Sequence, residues 1–206
     1  MSLRTFLAVE LSGESRAKLA ELAERLRKGA AFTGASLSWT RPEAMHVTIK
    51  FLGDIEEGMV GRIAERLEPV CAALPPFVFG VRGLGVFPDP ERPRVLWAGA
   101  RKADEAFARL FRAVEETMLG FGFRPEGRAF RPHLTLARIR DGKGARGLMA
   151  IVNDHRRQWC GDTRAERLVL FQSDLRPSGA VHTELRAFPF LAPEEPPGMD
   201  EGDAPC

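Results

Sequence analysis

Two of the four histidines in this chain stand in the same local pattern. His46 opens the stretch HVTIKFLG and His133 opens HLTLARI, so each histidine is followed by an apolar residue, a threonine and another apolar residue. Imidazole groups exchange protons near neutral pH, and hydroxyl groups donate to oxygens. This duplication indicates acid–base chemistry on a small oxygen-rich group, and we call residues 46–49 and 133–136 the HxTx motifs.

The first HxTx motif predicts a strand with one polar and one apolar face. Because side chains alternate along a strand, we expect His46, Thr48 and Lys50 to share the polar face. The side chains expected on the opposite face, in the core, are Val47, Ile49 and Phe51.

The second HxTx motif predicts a matching polar face. His133 and Thr135 share it, and Arg131 joins them if the strand extends through Pro132, since the residue before a proline favours extended geometry. Phe130 is expected in the core.

Two such strands facing each other would surround a tetrahedral anion. Alternate side chains of a strand are about 6.6 Å apart, so one histidine and one threonine reach neighbouring oxygens. Attack at phosphorus suits this arrangement: one neutral imidazole takes a proton from water, and the other, as imidazolium, gives one to the leaving oxygen. The threonine hydroxyls hold the non-bridging oxygens, and Lys50 or Arg131 adds positive charge. Incidental HxTx strands and a metal pair are the competing interpretations, but two histidines without acidic or cysteine partners make a poor metal site.

The two remaining histidines have no partner motif. His155 is spaced with apolar residues on a predicted helix and is expected at a packed rim. His182 follows the turn RPSG and is expected to be structural or solvated. This expectation is the weaker of the two, because the turn before His182 could reach a substrate.

Composition limits the class of protein. The net charge of +2 over 206 residues excludes a polycation, although arginines cluster near residues 124–146 and indicate a modest basic patch. Three widely spaced cysteines favour a reducing compartment over a disulfide framework. The sequence has neither a zinc signature, nor an apolar run typical of a membrane span, nor a signal peptide. We expect a cytoplasmic protein without a cofactor and without a membrane partner.

Periodicity predicts a duplicated plan. Each half reads as strand, helix, HxTx strand, helix and strand, which is the internal repeat to look for before a fold is chosen. Ser12 is expected to cap the first helix, and residues 144–159 are expected to form the last one. Residues 1–190 are then expected to form one domain or two small lobes, and the acidic, proline-rich stretch 191–206 a disordered tail.

With these features the sequence resembles the 2H phosphoesterase superfamily, and within it the RNA 2′,3′-cyclic phosphodiesterase branch, once named for 2′-5′ RNA ligase activity. The resemblance covers about residues 3–190. The stretches that carry it are RTFLAVEL, WTRPEAMHVTIKFLGD, LGVFPDPERPRVLWAG, RAFRPHLTLARIR and LVLFQSDLRPSGAVHTEL. It implies an α+β fold in which antiparallel sheets line a central cleft, helices lie outside, and a pseudo-twofold axis relates the two lobes.

The resemblance also implies an activity and roles for residues. Such proteins open the 2′,3′-cyclic phosphate at an RNA 3′ end to leave a 2′-phosphate, and some join RNA ends without ATP. By resemblance His46 is the proton donor, His133 the proton acceptor, and Thr48 and Thr135 are phosphate contacts. This chain has no tyrosine, and His182 stands where the family often has one.

Two other functions remain open at this point. The same groups would serve a non-catalytic module that binds RNA ends, or a phosphodiesterase that acts on a small cyclic nucleotide. For the leading hypothesis we expect a monomer whose partner is an RNA 3′ end with a 2′,3′-cyclic phosphate, such as a tRNA fragment or an oligonucleotide.

Overall fold

The computed structural model describes residues 2–141, 143–176 and 179–191. Four helices pack outside one sheet: α1 (Gly13–Ala30), α2 (Met59–Ala72), α3 (Asp104–Leu119) and α4 (Ala145–Asp154). The strands are β1 (Ser2–Glu10), β2 (Leu37–Trp39), β3 (His46–Glu56), β4 (Phe77–Phe87), β5 (Val95–Arg101), β6 (His133–Ile139), β7 (Trp159–Ala165), β8 (Arg167–Arg176) and β9 (Gly179–Pro189). Of the predicted tail, residues 192–206 lie outside the described residues.

Local sequence explains the helices. As predicted, the Ser12 side chain caps α1, because its hydroxyl accepts a hydrogen bond from the Ser15 amide at 3.2 Å. Each helix buries one stripe at helical spacing, as α3 does with Phe107, Leu110 and Val114. These stripes cover the sheet from outside.

The sheet has a symmetrical strand order. Its main path runs β7-β4-β5-β6-β3-β1-β8-β9, every pairing is antiparallel, and β2 adds to β6. The two HxTx strands, β3 and β6, meet at the centre through one residue pair, Val47 with Leu134. Read outward from the centre, the two halves of the path are β3-β1-β8-β9 and β6-β5-β4-β7, and a twofold axis between β3 and β6 matches them strand by strand. The predicted two-lobed, duplicated α+β fold with a pseudo-twofold axis is confirmed.

The two lobes do not coincide with the two halves of the sequence. The strand that closes the first repeat, β4, pairs with β5 of the second repeat, and β8 from the second repeat pairs with β1. Helices are exchanged as well: α1 packs on β7 and α4, whereas α2 packs on α3 and β9. Each lobe therefore contains chain from both repeats.

The predicted helix over 144–159 is wrong at its C-terminal end. Helix α4 ends at Asp154, and Trp159 begins β7, because the edge of β4 is open there for strand pairing. The Trp159 ring lies on Gly80 of β4, where a side chain would have no room. Among the described residues, no helix combines the length and the apolar character that crossing a bilayer requires.

Candidate active site

The central strand junction brings the two HxTx motifs together. Val47 pairs with Leu134 in antiparallel register, so the next positions in register set His46 opposite Thr135 and His133 opposite Thr48. Each histidine thus faces the threonine of the other motif across the junction. The sequence predicted the four residues, and the register puts them on one face of the sheet where the two HxTx strands meet.

Both HxTx strands carry a bulge at the same position. The first seven residues of each strand have the same alternation of half-buried, buried and exposed side chains. Ile49 has no partner between the pairs that β3 makes with β1, and Leu136 has none between the pairs that β6 makes with β5. A bulge adds one residue to a strand and thereby reverses the alternation beyond it. The structural duplication therefore includes the bulge and extends beyond the four residues of the HxTx motif.

This bulge makes the predicted faces of Lys50 and Phe51 wrong. Lys50 pairs with the core residue Leu7 and is buried, whereas Phe51 pairs with Phe6 on the cleft side and is 65% exposed. The Lys50 ammonium donates to Glu115 at 2.6 Å and to the Arg124 carbonyl at 3.0 Å. Its charge is thus already paired inside the fold, and Lys50 is not among the groups that we assign to the phosphate.

Backbone hydrogen bonds orient both catalytic candidates. His133 Nδ1 lies 2.7 Å from the Arg131 carbonyl, and since a carbonyl only accepts, Nδ1 carries the proton and Nε2 the lone pair. The backbone of Ala44 lies near the His46 ring and favours its charged form, which raises the pKa of His46 against the effect of burial. In both motifs, the residue two positions before the histidine therefore interacts with the ring through its backbone.

Burial keeps the imidazoles neutral in the free protein. It lowers the pKa of His46 to about 3, with smaller contributions from the charges of His182, Arg16 and His133. Burial also lowers the pKa of His133, although its bond to Arg131 opposes this shift. Desolvation disfavours the charged form of an imidazole. A donor histidine in this site is charged only when an anion lies beside it.

Aromatic rings surround the two histidines. Phe6 stacks on His46 with ring centroids 4.6 Å apart. On the other lobe, Phe87 lies edge-on to His133 at 5.0 Å, and Trp97 at 6.3 Å. These rings exclude water from one side of each imidazole, which explains the desolvation.

His182 belongs to this site, contrary to the prediction that it is structural or solvated. It lies edge-on to His46 at 5.2 Å and to Phe6 at 4.9 Å. Its Nδ1 is buried and has no hydrogen-bond partner among the described residues. Burial lowers its pKa, and so does the charge of Arg41. The sequence did not show that β9 pairs with β8 in the same half of the sheet as β3, which brings this side chain beside His46.

The remaining predicted positions divide between core and surface. His155 follows the last residue of α4 as its C-cap, and its Nδ1 donates to the Ile151 carbonyl at 3.0 Å. Phe130 packs against the core and stacks on Phe111 at 4.6 Å, as predicted. Arg131 is exposed and lies with His133 on the wall of a cavity of about 1080 Å³.

Within the described ranges, no three or more His, Cys, Asp or Glu side chains cluster in a way that would hold a metal ion. The register of β3 with β6 brings two imidazoles and two threonine hydroxyls to the strand junction.

Comparisons with known proteins agree in family and in fold. The model of the family described as LigT like Phosphoesterase matches residues 9–97 and 99–182. The RNA 2′,3′-cyclic phosphodiesterase of Methanothermobacter thermautotrophicus is 32% identical over 188 residues, which cover 91% of this chain and 99% of the relative. The protein of the same name from Aeropyrum pernix is 37% identical over 164 residues, 78% of this chain and 90% of the relative. The crystal structure of TT0787 from Thermus thermophilus superposes with a TM-score of 0.73 at 28% identity, covering 92% of this chain and 99% of that one.

Proposed function

The chain belongs to the LigT-like phosphoesterase family, and we propose that it hydrolyses the 2′,3′-cyclic phosphate at RNA 3′ ends to a 2′-phosphate. A relative that aligns over 91% of its length is named for this substrate. The observation that carries the proposal is the register at the centre of the sheet, which puts His46 opposite Thr135 and His133 opposite Thr48 on one face. Four such groups match the oxygens of a cyclic phosphodiester.

In the proposed mechanism, His133 accepts a proton from water and His46 donates one to the leaving oxygen. The Nδ1–H of His133 is bound to Arg131, so its Nε2 lone pair is free to act as the base. The water oxygen bonds to phosphorus while the bond from phosphorus to O3′ breaks, and His46 protonates O3′. Thr48 and Thr135 donate to the non-bridging oxygens, where negative charge develops.

Binding of the anionic substrate explains how His46 comes to carry the proton that it donates. His46 is neutral in the free protein because burial lowers its pKa. A cyclic phosphate beside the ring favours the charged form and raises the pKa again. The donor is therefore charged only with substrate in place. Arg131 is the further cation that we assign to the phosphate.

Substitution of each histidine tests the mechanism. We expect His46→Ala and His133→Ala each to lower kcat on an oligoribonucleotide with a 2′,3′-cyclic phosphate by roughly 10²–10⁴-fold, because each removes one proton transfer. The reaction is run in EDTA and the product end is identified by ³¹P NMR.

His155→Ala is the matched control, since this histidine lies outside the cleft. We expect it to retain activity. Full activity of either cleft variant would rule out the two-histidine mechanism, and loss of wild-type activity in EDTA would rule out metal independence. Tight RNA-end binding without turnover would favour the binding-module alternative.

We further place the enzyme in the cytoplasm as a monomer that acts on RNA fragments such as cleaved tRNA. Both HxTx strands come from one chain, so one protomer contains the four central groups. The thiols of Cys71 and Cys160 are free and buried, which suits a reducing compartment.

A further inference from the structure

We infer that the cavity beside His133 and Thr48 binds the single-stranded RNA chain on the 5′ side of the cyclic phosphate, so that oligonucleotides are preferred over cyclic mononucleotides. This inference rests on the proposed function and adds to it where the polymer lies. The cavity has a volume of about 1080 Å³ and includes both residues in its wall. A terminal nucleotide leaves most of that volume to the chain that precedes it.

The charge of the cavity matches a phosphate backbone. Its exposed cations are Arg94, Arg124, Arg128 and Arg131. Of the two acidic side chains in the wall, Glu115 is already paired with Lys50, which leaves Glu126 as the opposing charge among the described lining residues. Guanidinium groups bind phosphate oxygens in bidentate geometry. The wall is therefore strongly cationic on a chain whose net charge is only +2.

An exposed aromatic ring supplies a surface for a base. Phe51 is 65% exposed and lies on the cleft side of β3, beyond Thr48. Phe87, which lies edge-on to His133, forms part of the same wall. Bases of single strands stack on such rings regardless of sequence. Aromatic and guanidinium groups in one groove are typical of single-stranded RNA binding.

The basic wall breaks the pseudo-twofold symmetry. Residues 121–132, which precede the second HxTx strand, contain three arginines, whereas residues 34–45, which precede the first, contain only Arg41. The Arg41 guanidinium is bound to the Ala180 carbonyl at 3.1 Å. The segment before the second HxTx strand thus carries more positive charge than its counterpart before the first, and this difference favours one direction of the polymer across the site.

The buried ion pair between Lys50 and Glu115 holds the backbone of residues 121–132, the basic segment before the second HxTx strand. Lys50 donates to the Arg124 carbonyl at 3.0 Å, and Glu115 accepts from the Glu126 amide at 3.0 Å. Phe130 holds the other end of the segment by stacking on Phe111. Anchoring of this kind lowers the entropy lost on binding. The arginines therefore extend from a fixed backbone.

A comparison of substrate lengths tests the inference. We measure kcat/KM for adenosine 2′,3′-cyclic phosphate and for a hexaribonucleotide that ends in a 2′,3′-cyclic phosphate. In the wild type we expect the hexamer to exceed the mononucleotide by at least about tenfold, the effect of one charge-assisted phosphate contact. In the double variant Arg124→Ala/Arg128→Ala, we expect the ratio of kcat/KM for the hexamer to kcat/KM for the mononucleotide to fall close to one. Arg25→Ala/Arg66→Ala removes the same charge from exposed positions of α1 and α2 and should leave the ratio unchanged.

Binding without turnover separates this inference from the proposed function. In the His46→Ala background, we expect the Arg124→Ala/Arg128→Ala substitution to weaken binding of the hexamer. We also expect the salt dependence of binding, the slope of the logarithm of the association constant against the logarithm of salt concentration, to become less steep by about 0.7 for each lost phosphate contact. An unchanged Kd, or a wild-type substrate ratio near one, would overturn the inference while leaving the phosphodiesterase activity standing. If neither substrate is hydrolysed, the proposed function fails. The effect of the arginine substitutions on hexamer binding then shows by itself whether the cavity binds the RNA chain.

Discussion

His46 and His133 have opposite protonation requirements at the residue scale, although both lie where water is excluded. One must be charged and the other neutral, while burial lowers both pKa values in the free enzyme, that of His46 to about 3. The correctly protonated free enzyme is most abundant between the two pKa values, hence below pH 6.5. It disappears as the pH rises through the higher value.

The pH profiles should therefore separate. Because kcat/KM reports the free enzyme and kcat the substrate complex, we expect the maximum of kcat/KM on the acidic side of about pH 6.5, the ordinary imidazole pKa, and the maximum of kcat at higher pH. The anionic substrate raises both histidine pKa values in the complex. Initial rates between about pH 4 and 9 give both curves. Coincident maxima above about pH 7 would mean that burial does not govern these groups.

The ion pair between Lys50 and Glu115 acts at the element scale, where it joins β3 to α3 and to the segment before β6. Their side chains are only 6% and 13% exposed. Removal of one partner leaves the other charge buried and unpaired. We expect Lys50→Met to lower the free energy of unfolding by about 3 kcal/mol, measured by urea denaturation.

Two further variants separate this effect from a general loss of charge. Lys50→Met/Glu115→Leu removes both charges and should recover part of the stability. Lys18→Met removes an ammonium from the exposed pair with Glu14 and should change stability little. A Lys50→Met protein as stable as the wild type would show that the ion pair does not stabilise the contact between β3 and α3.

The exchange of strands between the lobes decides how the whole molecule unfolds. Since β4 pairs with β5 of the second repeat and β8 pairs with β1 of the first, neither repeat forms a complete sheet without the other. All three tryptophans, Trp39, Trp97 and Trp159, lie on strands of the β6 side of the sheet. Tryptophan fluorescence thus reports one lobe, whereas far-UV circular dichroism reports both.

We expect the two signals to follow one cooperative transition in urea, because coincident probes are the test of two-state unfolding. An early circular dichroism change with unchanged tryptophan fluorescence would show that the β3 lobe unfolds first. This result would contradict the strand exchange as the basis of cooperativity.

The sequence by itself determined the two HxTx motifs, the family resemblance, the capped first helix and the duplicated order of elements. These features are local: alternation, helical spacing and capping depend on residues a few positions apart. Only the tertiary structure decided that Lys50 is buried and Phe51 exposed, since a bulge arises from pairing with β1. Only it showed that α4 ends before Trp159, that His182 reaches His46, and that β4 and β8 change lobes. Each of these depends on a partner distant in the chain, and the order of residues along one strand carries no information about that partner.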